Sequence, residues 1–410
     1  MTRLLEPAAF GAYFLVLTIA RVAILVGQGG MNQVVVRFIA VSMVTGNRAK
    51  ARDTIKKALI IAFTGSFLVA LLYWGTADLL ATKLFKAPVM ATVSWAVLLW
   101  ILAGSVRILI AECFRGFHDL RNASFLELLV FELLFLLLLV TWWTFKNRVT
   151  FPSVITLSAV AALISAMLAV YLLKGKLRGF PAADEITYGE LFTTGWPLLI
   201  SNIVVVVMTQ AGIWISGIVA SPDDVGLYAC AFRMTMILQL PLLILNSVAP
   251  QLIAEQHEKG EMGKLESTLR SLAAMELLPT AAIYCVYCLA GNFLLKILFG
   301  QFYVGSYWVM ILLGSGIMVN SWVGFCGPAL MMTGNQGALM KISLFWGAVT
   351  LFFSYGAGRL YGISGVAAAI ALGNALQHLT MVYMVKKNLG LWTIAGRFSG
   401  LFGRIKQIAG

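Results

Sequence analysis

Charged residues are scarce in this 410-residue chain, where Asp, Glu, Lys and Arg together make up 11% of the sequence. Soluble globular proteins average about 25% charged residues, so the composition excludes an ordinary soluble enzyme. The three histidines and five cysteines are scattered and show none of the ligand spacings of a zinc site. The Gly-x-x-x-x-Gly-Lys-[Ser/Thr] phosphate loop is absent as well, which argues against ATP hydrolysis. We therefore predict no enzyme, no metal and no bound cofactor.

Long apolar runs are what the chain has instead, and 60% of its residues are apolar. A helix of about 20 apolar residues crosses a hydrocarbon core of about 30 Å. The sequence therefore predicts an all-α integral membrane protein. Its eleven predicted transmembrane helices lie at about 9–43, 57–76, 90–113, 123–145, 152–173, 190–219, 224–254, 272–291, 304–332, 339–357 and 362–385.

Basic residues outside the predicted spans are distributed unevenly between the two sides of the membrane. The loops after the odd-numbered spans and the C-terminal segment, counted with Lys57 and Lys341 at the adjoining span ends, carry 19 Lys and Arg, and the opposite side carries seven. Cytoplasmic loops are enriched in Lys and Arg, so the first side and the C-terminus are predicted to be cytoplasmic. The formal net charge of +13 is then a topology signal, and we expect no nucleic acid partner.

The two halves of the sequence resemble each other at an offset of 212 to 215 residues. Phe10-Gly11-Ala12-Tyr13 matches Val225-Gly226-Leu227-Tyr228, and Gly46 matches Gly260. This pattern is typical of a parallel repeat about an axis along the membrane normal, and it predicts two six-helix lobes with a cavity between them. The helix at 190–219 has no partner in the first half, so we expect a first helix upstream of the given sequence, in a twelve-helix design.

These boundaries divide the chain into four predicted regions. They are an N-terminal lobe of five helices at 1–178, a cytoplasmic linker at 179–189, a C-terminal lobe of six helices at 190–387 and a basic amphipathic tail at 388–410. The tail mixes aromatic residues with cations, which is typical of a helix at the membrane surface. The four glycines between 388 and 406 leave disorder as the alternative.

The chain resembles the polysaccharide-transport proteins, the Wzx-type O-antigen and exopolysaccharide flippases, in segments of both halves. The first is Leu4-Leu-Glu-Pro-Ala-Ala-Phe-Gly-Ala-Tyr13, followed by Arg37-Phe-Ile-Ala40. The second is Ser221-Pro-Asp-Asp-Val-Gly-Leu-Tyr228, followed by Ala249-Pro250. These flippases belong to the multidrug/oligosaccharidyl-lipid/polysaccharide (MOP) exporter superfamily.

The resemblance implies the MOP flippase fold and a lipid-linked cargo. An undecaprenyl-pyrophosphate-linked oligosaccharide would move from the cytoplasmic to the periplasmic leaflet of the bacterial inner membrane by alternating access, with coupling to a proton or sodium gradient left open. The implied partners are this cargo, membrane lipids, and the polysaccharide polymerase and export machinery. The alternative is an ion-coupled multidrug or toxin exporter of the same superfamily, which should expose carboxylates to organic cations. The unexplained membrane charges here are cationic, which favours an anionic cargo.

Arginines inside the predicted spans are the main candidates for binding that cargo. An Arg at a helix centre costs about 2.5–3.5 kcal/mol on insertion scales, so each needs a partner or water. Arg21 and Arg233 lie at similar depth on equivalent helices of the repeat, and paired guanidiniums there suit a pyrophosphate. The alternative is that they pair with carbonyls or a carboxylate of a neighbouring helix. Arg37 is either a first contact for the pyrophosphate or a cation that reaches anionic head groups.

Amides, prolines and glycines complete the candidate set. Amides that suit sugar hydroxyls, with helix–helix hydrogen bonding as the alternative, are Asn202, Gln210, Gln239 and Asn246. Candidate hinges, with static kinks as the alternative, are Pro197, Pro241 and Pro250. The segment Gly27-Gln-Gly-Gly-Met-Asn-Gln33 predicts a break in the long first span, because Gly weakens a helix and polar side chains satisfy the freed backbone.

The acidic residues of the third and fourth spans are candidates for ion pairing and proton binding. The two spans form a predicted hairpin, so residues whose numbers sum to about 239 share a depth. Arg107 then pairs with Glu132 as a structural ion pair. Glu112 and Glu127 lie at one depth, where repulsion and burial favour a shared proton, with lobe packing or local water as the alternative. Glu276 is the clearest membrane acid of the second half.

Overall fold

The computed structural model describes residues 4–146, 148–182, 185–246 and 249–396. These residues are largely helical and contain no β-strand within those ranges. They form two compact units, Met1–Trp214 and Ile215–Gly410. The predicted all-α class is therefore confirmed for the described part of the chain.

The first unit is built around a central helix. Its helices, of which the last continues into the second unit, are α1 (Pro7–Gly27), α2 (Met31–Val44), α3 (Arg48–Leu79), α4 (Ser94–Gly116), α5 (Leu120–Ser124), α6 (Val130–Lys146), α7 (Phe151–Lys176) and α8 (Tyr188–Val219). α4 packs against α1, α2, α3 and α7. Gly116 lets α2 approach α4 closely, because a methyl group at this position would lie 2.9 Å from Ile39 Cβ. The buried core around these helices includes Ile39, Ile110 and Phe114.

The predicted break in the first span is confirmed between α1 and α2. Gly29 and Gly30 have φ values of 60° and 79°, which glycine adopts at little steric cost. The Gln28 side chain is 1% exposed, and its Nε2 donates to the backbone oxygen of Ser105 on α4 at 3.1 Å. The interrupted backbone is thus tied to the central helix of the unit.

The second unit repeats this arrangement around another central helix. Its described helices are α9 (Pro222–Leu238), α10 (Leu240–Leu245), α11 (Ala249–Glu258), α12 (Met262–Leu298), α13 (Tyr307–Val323), α14 (Cys326–Met332) and α15 (Gln336–Leu389). α13 packs against α9, α12 and α15. A methyl group at Gly316 would lie 2.9 Å from Ala371 Cα, so the backbones of α13 and α15 run close together.

α15 contains a reversal of the chain at Gly362, where φ is 60° and ψ is −147°. Trp346 Nε1 donates to Thr380 Oγ1 at 2.9 Å across this reversal. Residues at similar distances on either side of Gly362 therefore meet, and the two arms of α15 form an antiparallel pair. The arms correspond to the spans predicted at 339–357 and 362–385.

Eight of the described helices are long and apolar enough to cross a membrane, and the bent pair Tyr188–Ile200 and Val205–Val219 makes a ninth. The sequence predicted eleven, and two structural features account for the difference. Both arms of α15 count as one helix. The span predicted at 224–254 is divided into α9, α10 and α11, each of which is too short to cross alone.

Backbone turns recur in the two units at the offset of the sequence repeat. Gly46 and Gly260 have φ values of 70° and 69° at the turns before α3 and α12. Lys86 and Gly300, also 214 residues apart, have φ values of 50° and 117° and precede the short 3₁₀ helices that lead into α4 and α13. These turns support the predicted parallel repeat.

The division between the units falls inside α8, after Trp214. The predicted lobes differ here, since they place all of 190–219 in the C-terminal lobe. Within the first unit, Trp214 Nε1 donates to Thr18 Oγ1 at 2.9 Å and connects α8 to α1. The buried Leu191 belongs to the same core as the residues of α2 and α4. The first part of α8 is therefore packed as a member of the first unit.

The predicted tail is helical only at Asn388 and Leu389, the last residues of α15, in its described part. After the end of α15, Thr393 Oγ1 donates to the backbone oxygen of Val323 at 2.7 Å. The backbone nitrogen of Ala395 donates to the backbone oxygen of Trp322 at 2.9 Å. These bonds satisfy carbonyl groups that the end of α13 leaves without helical partners. Residues 391–396 thus differ from the predicted surface helix, and 397–410 lies outside the described residues.

Candidate substrate-binding residues

Arg21 is the exposed residue of α1. Every other position from 7 to 27 is buried or half-buried. α1 is apolar around its whole circumference and packs against α3 and α4, which explains why its surface is covered. The cation of Arg21 therefore lies at the exposed surface of an otherwise covered helix.

Arg233 is the exposed arginine of the second unit that corresponds to Arg21. It lies on α9, the helix that matches α1 in the repeat, and its side chain is exposed, as is that of Ile237 one turn later. The flanking residues Met234 and Thr235 are buried. The structure thus gives each unit one helix on which an exposed arginine interrupts a mostly buried surface.

Arg37 lies on an exposed face of α2 together with Gln33, four residues earlier. Gln33 Nε2 donates to Asn202 Oδ1 on α8 at 3.4 Å. The structure therefore brings the predicted residues Arg37 and Asn202 to one polar face of the first unit, with Gln33 between them. The sequence places Gln33 in the predicted break of the first span and predicts no binding role for it.

The other three predicted amides have different surroundings. Gln210 is 7% exposed, in the interior of the first unit. Gln239 is exposed at the junction of α9 and α10, and Asn246 is exposed just after α10. Gln239 and Asn246 are therefore accessible from outside their unit, whereas Gln210 is not.

The predicted hinge prolines lie at two kinds of position. Pro197 is inside α8, whose two segments are bent by 46°. Pro241 and Pro250 lie in the first turns of α10 and α11, where the missing amide hydrogen of proline breaks no helical hydrogen bond. They divide the span predicted at 224–254. Their role as hinges stays a prediction.

Arg107 makes its direct hydrogen bonds to backbone oxygens, and its predicted ion pair with Glu132, whose charge attracts it, stays a prediction. Arg107 is 8% exposed, and its Nη1 donates to the backbone oxygens of Leu126 at 2.5 Å and Glu127 at 3.1 Å. Its guanidinium also lies over the ring of Phe131, 5.4 Å from the centroid. The physical reason is a π-helical turn at Phe125–Leu129, which breaks the regular helical pattern and offers its carbonyls to the cation.

Glu112 and Glu127 are brought together, as their predicted common depth implies, through a third residue. Arg115 Nη1 is bound to Glu112 Oε1, and Arg115 Nη2 donates to Glu127 Oε2 at 2.6 Å. One guanidinium therefore bridges both carboxylates. Arg115 lies in the loop between the spans predicted at 90–113 and 123–145, and its spacing of three residues from Glu112 is the signal that identifies it as a partner.

A second cluster that sequence reasoning missed holds the linker between the predicted lobes. Asp53 Oδ2 accepts hydrogen bonds from the backbone nitrogens of Glu185 at 2.9 Å and Ile186 at 3.1 Å, and from Lys57 Nζ at 3.0 Å. Arg52 Nη1 donates to the backbone oxygen of Phe180 at 2.6 Å. These residues of α3 therefore fasten the linker to the first unit.

Comparison with known proteins gives one family match. Residues 1–250 match the model of a family described as polysaccharide biosynthesis protein. A search of curated proteins found no match.

Solved transporter structures resemble the fold over nearly its whole length. An inward-facing multidrug resistance MATE family transporter of the MOP superfamily is 14% identical with a TM-score of 0.75, covering 94% of this chain and 91% of its own. A MATE structure described as bent is 13% identical with a TM-score of 0.61, covering 100% and 96%. A MOP superfamily transporter from Pyrococcus furiosus, described as having a binding pocket of reverse polarity, is 14% identical with a TM-score of 0.58, covering 93% and 88%. At these identities the likeness shows the fold alone.

Proposed function

Since this chain belongs to the polysaccharide biosynthesis protein family, among the multi-pass membrane transporters of the MOP superfamily, we propose that it is a lipid-linked oligosaccharide flippase. Its cargo is an undecaprenyl-pyrophosphate-linked repeat unit of an O-antigen or exopolysaccharide. The cargo moves from the cytoplasmic to the periplasmic leaflet of the bacterial inner membrane by alternating access, and the C-terminus lies in the cytoplasm. A polysaccharide polymerase and export machinery would take up the product.

The exposed arginines of α1 and α9 carry this proposal. A pyrophosphate that leaves water needs fixed cations, and a guanidinium stays charged and donates two parallel hydrogen bonds to phosphate oxygens. Arg21 and Arg233 are exposed on helices that are otherwise largely covered. Cations in apolar spans are costly, so a functional use is the expectation for them.

The polar face formed by Gln33, Arg37 and Asn202 supports the sugar part of the proposal. Amides donate to and accept from hydroxyl groups, and Arg37 adds a cation on the same face of α2. We propose that this face contacts the head group of the cargo on its cytoplasmic entry. Gln239 and Asn246, exposed in the second unit, are the further candidates for sugar contacts.

A multidrug exporter of organic cations is the second candidate, and the charges of the first two helices argue against it. The charged residues of α1 and α2 are Arg21 and Arg37, both cationic. Glu112 and Glu127 are already bound to Arg115, so these two carboxylates are not open to an organic cation. These contacts favour an anionic cargo.

Charge reversal tests the proposal in the parent organism with its chromosomal copy deleted. Arg21→Glu and Arg233→Glu should each reduce surface glycan by about tenfold or more, because a carboxylate repels the pyrophosphate. Arg178→Glu is the matched control, since Arg178 is exposed near the end of α7 and should keep display normal. Membrane levels of each variant are measured by immunoblot. Normal glycan display in both reversed variants would overturn the proposed site.

A further inference from the structure

Glu276 is a buried acid without a partner in the second unit. It lies on α12 and is 1% exposed. Neither carboxyl oxygen has a hydrogen-bond partner in the described part of the chain. A carboxylate in an apolar interior without donors or a cation costs several kcal/mol, so this group needs an explanation.

Glu276 lies near a break between two helices of the second unit. α13 ends at Val323, and Gly324 has φ 71° and ψ −150° before α14 begins. A methyl group at Gly324 would overlap Ala273, which lies one turn before Glu276 on α12. Ser321, 1% exposed, is close enough to influence the carboxyl group, and its Oγ also has no hydrogen-bond partner among the described residues. The carboxyl group therefore lies beside a break in the neighbouring helix.

Charged groups on the surrounding helices do not neutralise Glu276 in the described part of the chain. α13 has no charged residue, and the thiol of Cys326 is the titratable neighbour on α14. Arg270 on α12 pairs with Glu266 at 3.7 Å, and on α15 His378 Nδ1 bonds to the backbone oxygen of Asn374. The titratable residues of α11 and the turn that follows it are Glu255, His257, Glu258, Lys259 and Glu261. Glu255 pairs with Lys259, and Glu261 pairs with Lys264 on α12.

We propose that Glu276, with Ser321 beside it, is a proton-binding site of the second unit. A proton removes the charge at a position where burial makes the charge costly, and it needs one acceptor atom. A metal ion needs several ligands, and the described residues contain no group of three or more His, Cys, Asp and Glu side chains that could hold one. The carboxyl group gives up its proton when the break at Gly324 admits water. Coupling of this step to cargo movement rests on the proposed function, whereas proton binding itself does not.

Thermal unfolding of the purified full chain in detergent tests proton binding directly. The wild type should lose stability from pH 5.5 to 8.5, because ionised Glu276 is buried without a partner. Glu276→Gln stays neutral, so its melting temperature should fall by about 3 °C less over this range. Glu258→Gln is the control, since Glu258 is exposed on α11, and it should keep the wild-type slope. Equal slopes for wild type and Glu276→Gln would overturn the proposal.

Two further arms keep the test decisive. If Glu276→Gln does not fold, Ser321→Ala is measured instead. Its loss of stability should extend to higher pH than that of wild type, because the hydroxyl that can donate to the ionised carboxyl group is gone. An unchanged profile of melting temperature against pH would count against the site. The titration is repeated in 300 mM sodium and in 300 mM choline chloride, about twice physiological ionic strength. Sodium that raises the melting temperature of the wild type at pH 8.5, but not that of Glu276→Gln, would replace the proton site with a sodium site.

Glycan display separates proton binding from transport. With a wild-type melting profile that depends on Glu276, loss of display in Glu276→Gln at normal membrane levels supports coupling. Normal display in that variant would exclude the coupling role. Failure of the wild type itself to restore display would overturn the proposed function, and the melting experiment would still decide whether Glu276 binds a proton.

Discussion

Backbone carbonyls, rather than a carboxylate, accept the direct hydrogen bonds of the buried Arg107. Its guanidinium bonds to the oxygens of Leu126 and Glu127 and covers the ring of Phe131. That a buried arginine needs a partner follows from the cost of burying its charge, and the sequence predicted that much. The identity of the partner depends on a π-helical turn, which apolar periodicity does not reveal. Glu132, the predicted partner, is exposed.

Two variants distinguish these partners by stability. Arg107→Lys keeps the positive charge and loses the planar guanidinium group with its several N–H donors. We therefore expect it to destabilise the protein by about 1–3 kcal/mol. Glu132→Gln should stay within about 0.5 kcal/mol of wild type, because Glu132 is exposed and its attraction to Arg107 is screened by solvent. Arg121→Lys, exposed on α5, controls for the substitution itself. Thermal unfolding in detergent measures all three, and equal damage from Arg107→Lys and Glu132→Gln would restore the predicted pair.

Breaks within helices often occur at glycine residues, which can be recognised in the sequence, so this part of the fold was largely predictable. Gly29 and Gly30 have backbone angles that favour glycine, and the break they form was predicted. The reversal at Gly362 lies where the last two predicted spans meet. The division of the span at 224–254 was not predicted, because the prolines there were interpreted as hinges in one continuous helix.

Close packing at the first break gives a prediction for glycine. A methyl group at Gly30 would overlap the backbone oxygen of Gly195 on α8, and φ at Gly30 is 79°. Gly46 has a similar φ of 70° but has open space around it. Gly46→Ala should therefore cost about 1–2 kcal/mol from backbone strain, and Gly30→Ala should cost more because α8 must also move. Melting temperatures that fall equally in the two variants would show that the contact with α8 contributes nothing.

Across the whole molecule, basic residues that were counted for topology also hold the chain together. The excess of Lys and Arg on one side predicted a membrane orientation from their number alone. Arg52 and Lys57 belong to that count, and the structure places them against the linker that follows α7. Contacts between α3 and residues about 130 positions later cannot be inferred from one sequence, because the sequence does not show how the two segments align in space. For the same reason, Arg21, Arg37 and Asn202 could be proposed as candidates, whereas the pairing of Asn202 with Gln33 needed the fold.

The linker contact yields a prediction about susceptibility to protease. Asp53→Ala removes the acceptor of two linker amides and one hydrogen-bond acceptor of Lys57, so the segment from Lys176 onward should open more often. We expect trypsin to cleave after Arg178 about tenfold faster than in wild type, because local opening limits the rate. Lys56→Ala, exposed on the same helix, should leave the rate unchanged. Cleavage after Lys259 is followed in the same digests: if it accelerates equally, the variant has lost global stability and the linker contact does not explain the effect.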